Sequence, residues 1–219
     1  VMTIIMKVDF KREKLEVRPS AYKSIREGWV FLIKNRTLLS IMSLDMLAVL
    51  FGGAMAILPA FADQVLHTGA EGLGLLRAAP AMGAVLTALY FSFVPMKRIT
   101  AMRLFIVVAG FGVCIIGFGL STNIWLAILF LAFSGAFDSV SMVIRGTLMQ
   151  LLTPDNMRGR VSSVNSMFII SSNEIGAFYS GAMAALLGLV PSIIAGGIGT
   201  LAVVSITAYL SKDFRKVSI

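Results

Sequence analysis

The sequence predicts an all-α integral membrane protein built as a bundle of six transmembrane helices. Three observations predict it. Hydrophobic residues make up 58% of the 219 and charged residues only 14%, against about 25% charged in a soluble domain, so there are too few charges to coat a water-facing surface. The apolar residues gather into six runs: Leu38–Ala62, Leu73–Val94, Leu104–Leu120, Ile124–Leu148, Val161–Gly188 and Ser192–Leu210. A helix needs about 20 mostly apolar residues to cross ~30 Å of hydrocarbon, and it satisfies its own backbone hydrogen bonds there. Third, 17 of the 19 Lys and Arg residues lie in alternate connections between these runs.

Taken in order, Val1–Met6 is a short apolar segment followed at once by Lys7-Val-Asp-Phe-Lys-Arg-Glu-Lys14. No signal peptide pattern is present. The segment reads as the cytoplasmic end of an earlier helix, so the chain is expected to be the C-terminal part of a longer protein. Residues 1–36 then form a cytoplasmic linker, 37–210 the six-helix domain and 211–219 a cytoplasmic tail. Within the linker, Tyr22, Ile25, Trp29, Leu32 and Ile33 share one helical face, with Lys23, Arg26, Glu27 and Lys34 on another. A basic amphipathic helix of this kind is expected to lie in the membrane interface. Pro59 and Pro80 fall inside the first and second spans, where each removes an i to i−4 bond and kinks its helix. Gly110, Gly112, Gly117 and Gly119 in the third span, and Gly176, Ser180 and Ala184 in the fifth, predict close helix packing.

The net charge of +8 would point to nucleic acid in a soluble chain, but its placement is topological. Basic residues precede the first span and occupy the second-to-third connection (Lys97, Arg98, Arg103), the fourth-to-fifth (Arg158, Arg160) and the tail (Lys212, Arg215, Lys216). The other connections hold none. Cytoplasmic loops keep the Lys/Arg excess, so both termini are expected in the cytoplasm of a multi-pass plasma membrane protein, the bacterial inner membrane. No nucleic-acid partner is expected.

Charged side chains inside a span cost ~2.5–3.5 kcal/mol at the centre and usually face a bundle interior or water cavity. There are five: Asp45, Arg77, Asp138, Arg145 and Glu174. They fall in the first, second, fourth and fifth spans; the third and sixth have none. Asp138 and Arg145 are two turns apart and share a face with Ser134 and Ser141, so Asp138 is the expected partner of Arg145. Ser166, Asn173 and Ser180 stripe the fifth span, with Glu174 beside Asn173 near mid-bilayer. Glu174, Asp45, Asp138, Arg145, Arg77 and Asn173 are therefore the candidates for lining a transport path or coupling it to protons. Glu174 is the first choice because no cation shares its face. Arg77 lies near the outer end of its helix, where it can hold an anion, a carboxylate across the cavity or lipid headgroups.

The single Cys114 and the single His67 are far apart, so no metal site and no cofactor are expected. No Gly-x-x-x-x-Gly-Lys-(Ser/Thr) loop is present, and the glycines of the third span lack the strand that a dinucleotide fingerprint requires.

The stretch Gly72-Leu-Gly-Leu-Leu-Arg-Ala-Ala-Pro-Ala-Met-Gly83 resembles the eighth helix of major facilitator superfamily exporters. Gly135-Ala-Phe-Asp-Ser-Val-Ser-Met-Val-Ile-Arg145, then Thr153-Pro-Asp-Asn-Met-Arg-Gly-Arg-Val-Ser-Ser-Val-Asn165 and Ser172-Asn-Glu-Ile-Gly176, resemble the tenth and eleventh helices. The likeness is to the branch of enterobactin-exporter-like and macrolide-efflux-like proteins and covers nearly the whole chain. It implies one half of a twelve-helix fold whose N-terminal six-helix half is the missing partner. It also implies that the seventh, eighth, tenth and eleventh helices face the cavity. Its activity would be proton-coupled export of a small amphipathic organic molecule, by rocking of two halves around a midplane site in the bilayer. The turn carrying Asp155, Arg158 and Arg160 resembles a cytoplasmic gating turn, with Asp155 near enough to pair with either arginine. Related sequences carry two further acids where this one has Ala177 and Tyr179, which leaves Glu174.

Two other classes are weighed. An intramembrane serine protease needs Gly-x-Ser and a later His, but Ser134 follows Ala132-Phe133 and His67 lies earlier. An aspartyl type needs Tyr-Asp and Gly-x-Gly-Asp, and the sequence has Leu44-Asp45 and Phe137-Asp138. A non-transporting membrane scaffold or receptor is the remaining alternative, so no enzyme is expected.

Overall fold

The computed structural model describes residues 21–94 and 100–210. The segment Val1–Met6 and the basic run after it, Lys97 and Arg98, and the tail with Lys212, Arg215 and Lys216 lie outside the described residues. The helices are α1 (Ala21–Lys34), α2 (Arg36–Gly52), α3 (Leu58–Gln64), α4 (Ala70–Phe93), α5 (Ala101–Gly119), α6 (Ile124–Leu152), α7 (Arg158–Leu187) and α8 (Leu189–Leu210). Among the described residues, five helical stretches are long and apolar enough to cross a membrane: Arg36–Ala56, Ala70–Phe93, Ala101–Gly119, Ile124–Leu152 and Leu189–Leu210. The helix α7 is longer still at 30 residues; two arginines, Glu174 and its run of Ser and Asn make it the most polar of the set.

The boundaries follow local chemistry. The Asn35 side chain accepts from the Leu38 N–H at 3.3 Å, and Asn123 accepts from the Trp125 N–H at 2.8 Å, each satisfying an amide that the helix start leaves open. Between α7 and α8 the chain turns on Gly188 alone, at φ 90°, a conformation that costs a residue without a Cβ nothing.

The first span departs from the continuous run that its apolar residues predict. It stops at Gly52, passes Gly53 and a 3-10 turn over Ala54–Ala56, and resumes as α3 with Pro59 in its first turn. Proline lacks the N–H that would bond back to the Met55 carbonyl, which weakens an unbroken helix through this stretch. The Gly52-Gly53 pair, with its low helix propensity, takes the break.

The helices pack in adjoining pairs. One pair is α4 on α6; α5 lies against α6 and α8, and α2 against α7 and α8. One buried cluster joins Ile41, Leu44, Leu104, Val108, Ile144, Leu148 and Val203. A second gathers Leu58, Phe61, Leu76, Phe118, Leu131 and Ile193, with the Phe61 and Phe118 rings 4.6 Å apart. Glycines set the spacing: a Cβ on Gly112 would meet the Gly197 carbonyl at 3.3 Å, and one on Gly117 or Gly110 would enter the ring of Phe130 or Phe137. The outer surface is apolar, with Leu86, Phe93, Ile106, Trp125, Phe178 and Tyr209 exposed, as a lipid-facing bundle requires.

The amphipathic helix α1 packs part of its apolar face on protein. Leu32 is buried with Leu38, Met42, Val161 and Val164, Trp29 lies 5.3 Å from Phe168, and a Cβ on Gly28 would meet the Arg160 carbonyl at 2.8 Å. Ile33 remains exposed.

Candidate functional site

The break in the first span opens a cleft of about 350 Å³. Its floor is the interrupted backbone, Gly52 through Ala56, with Val49 and Leu58. Pro80 from α4, Phe111 and Ile115 from α5, Leu131, Ser134, Gly135 and Asp138 from α6, and Asn173 and Ala177 from α7 complete it. Irregular backbone at membrane depth is tolerated where it is buried in protein or lines a cavity. Here it does so beside a carboxylate and an amide. The end of α2, the negative end of its helix dipole, lies at this cleft. The Gly53 carbonyl just past it accepts a hydrogen bond from the Ser180 hydroxyl at 2.8 Å.

Asp138 is the one charged residue lining this cleft, and no ion pair reaches it among the described residues. This corrects the expectation that it partners Arg145. The guanidinium of Arg145 instead pairs with Asp45, across the bundle from α6 to α2, with both side chains almost wholly buried. Two residues on one helix face compete with any third that tertiary packing brings closer, and α2 brings Asp45. The Arg145 Nε and the Ser141 hydroxyl, one turn away, are buried without a hydrogen-bond partner.

The other candidates separate. Asn173 lines the cleft, whereas its neighbour Glu174 is exposed on α7 and lines neither that cleft nor the narrower cavity beside Asp45. Arg77 is exposed on α4, away from the cleft. In the turn between α6 and α7, Asp155 pairs with Arg158 at 3.0 Å, both largely exposed, and Arg158 also donates to the Gln150 carbonyl at 3.3 Å. Arg160 turns the other way and meets Glu27 of α1 at 2.7 Å. The Glu27 contact and the Gly52-Gly53 break are the features that sequence reasoning missed. A glycine pair six residues before Pro59 was the available signal for the break; nothing local announces Glu27.

The family model for transmembrane secretion effectors, within the major facilitator superfamily, matches residues 1–216. The chain belongs to that family. Among curated proteins it is similar to the enterobactin exporter EntS of Shigella boydii serotype 18 and that of Escherichia coli O81, each 28% identical over 184 residues. The matched region is 84% of this chain and 44% of each relative, so the chain spans less than half the length of the curated relatives it matches. No solved structure matches it. Membership makes this a multi-pass inner-membrane protein of a transporter family, with the α-helical fold that the apolar runs predict.

Proposed function

We propose that this chain is the C-terminal six-helix half of a secondary active exporter of a small amphipathic organic molecule, driven by protons and working by alternating access. The observation that carries the reading is the cleft at the broken first span, where apolar walls surround one carboxylate and one amide. A site of that kind near mid-bilayer, on a discontinuous helix, is what an alternating-access carrier rocks around. The chain's similarity to enterobactin exporters supports export as the direction. An N-terminal half closes the cleft from the other side, both termini face the cytoplasm, residues 1–36 are the linker and 211–219 the tail. The turn of Asp155, Arg158 and Arg160 gates the cytoplasmic end through its contact with α1.

In this reading Asp138 bears the coupling proton, supported by its position in the cleft lining; Glu174, exposed on α7, is the second candidate. The test is flux driven by an imposed pH gradient in liposomes containing the full-length protein. Asp138→Asn is expected to abolish gradient-driven export while insertion stays normal. Normal export by that variant, together with its loss in Glu174→Gln, would move the coupling site out of the cleft.

A further inference from the structure

A buried guanidinium stripped of its acid is costly, by several kcal/mol per ion, so Arg145 must keep a carboxylate in every conformation the bundle visits. Two carboxylates border one small cavity. Asp45 holds the guanidinium here. Asp138 borders, with Asp45, Val108, Phe111 and Ser141, a narrow cavity of about 10 Å³. No other charged side chain lines that cavity or the larger cleft; Arg77 and Glu174 are exposed elsewhere.

A second arrangement needs the Arg145 side chain to reach beyond the neighbours one turn away that a helix brings together. Side chains on a helix lean toward its N-terminus, so that of Arg145 leans over Ser141 toward Asp138, two turns or ~10.5 Å of rise away. The Arg145 Nε and the Ser141 hydroxyl on that path are both buried and have no partner in the present arrangement.

We propose that Arg145 is exchanged between two seats, Asp45 on α2 and Asp138 on its own helix, and that the structure shows the first. In the first seat the guanidinium ties α6 to α2 just below the break at Gly53, and Asp138 is left open to the cleft. In the second it neutralises Asp138 from inside, with Ser141 hydrogen-bonded along the way, and α6 is released from α2. One cation shared by two acids makes the occupancy of the cleft and the α2–α6 contact mutually exclusive states. The proposal concerns which acid holds Arg145 and does not depend on what the cleft carries.

A double-mutant cycle on the thermal unfolding of the full-length protein in detergent tests it, because stability is read without transport. Asp138→Asn is expected to leave the midpoint nearly unchanged, since Arg145 stays with Asp45. Asp45→Asn is expected to remain folded with a modest loss, because Arg145 moves to Asp138. The variant with both changes should lose at least roughly 4 °C more than the two single losses together, as coupled neighbours do. Additive losses would overturn the exchange. So would an Asp45→Asn protein that fails to fold, since Asp138 would then have failed to take the guanidinium. Failure of proton-driven flux with the cycle intact would instead count against the transport reading alone.

Discussion

The crossings of α4 with α6 and of α2 with α7 sit on opposite sides of the cleft, and both involve a span that carries a proline. At the first, α4 runs unbroken through Pro80 for 24 residues. A Cβ on Gly135 of α6 would strike the Pro80 backbone, and one on Gly83 of α4 would strike the Ala132 carbonyl, so the two helices touch backbone to backbone. At the second, the span containing Pro59 is broken at Gly53. There α7 lays Gly176 against Leu50, at 3.2 Å from a Cβ, and bonds Ser180 to the Gly53 carbonyl. A proline therefore does not decide by itself whether a span breaks. Where a neighbouring helix presses along the full length the helix is held continuous, and where a glycine pair precedes the proline and a hydroxyl meets the freed carbonyl the break is stabilised.

Three changes sharpen that comparison, and the largest effect is expected at the unbroken crossing. Gly135→Leu drives a side chain into the Pro80 backbone, which cannot yield as a flexible side chain would. A loss of about 3 kcal/mol is expected, seen as a collapse of folded yield on size-exclusion of the detergent-solubilised protein. A folded Gly135→Leu protein with unchanged melting would mean that the α4–α6 contact is looser than the structure has it.

At the broken crossing a smaller effect is expected. Ser180→Ala removes the hydroxyl that meets the Gly53 carbonyl, and interhelical hydrogen bonds in lipid average about 0.6 kcal/mol. The thermal midpoint should fall slightly and the fold persist. A loss as large as that at Gly135 would show that Ser180 alone holds the break in place.

The smallest is expected outside the bundle core. Arg160→Ala removes the contact with Glu27, but both side chains are about one third exposed, and such pairs contribute about 0–1 kcal/mol. Melting should barely move while export falls, because the turn loses its hold on α1. Unchanged export in a correctly inserted Arg160→Ala protein would reject gating by this turn.

Several site features were legible in the residues themselves. The polar stripe of α6 placed Asp138, Ser134 and Ser141 on one face, and Asn173 was singled out on α7; Asp138, Ser134 and Asn173 line the cleft. The partner of Arg145 was not legible. Spacing along one helix identified Asp138, whereas the contact is made to a residue a hundred positions earlier in the chain. Glu174 illustrates the same gap, since mid-bilayer depth can be counted along a helix but the direction in which its face turns cannot.

The sequence by itself determined the membrane class, the helical runs and which of them bear charge, because hydrocarbon demands about 20 apolar residues per crossing and makes each charge costly. It also determined that Gly112 and Gly176 would be contact points, since small residues are what let backbones approach in lipid. Only the tertiary structure decided where the first span breaks and which acid holds Arg145. Those outcomes depend on distances between helices distant in sequence, and a pairing energy that falls with separation and rises with burial is settled only once the helices are packed.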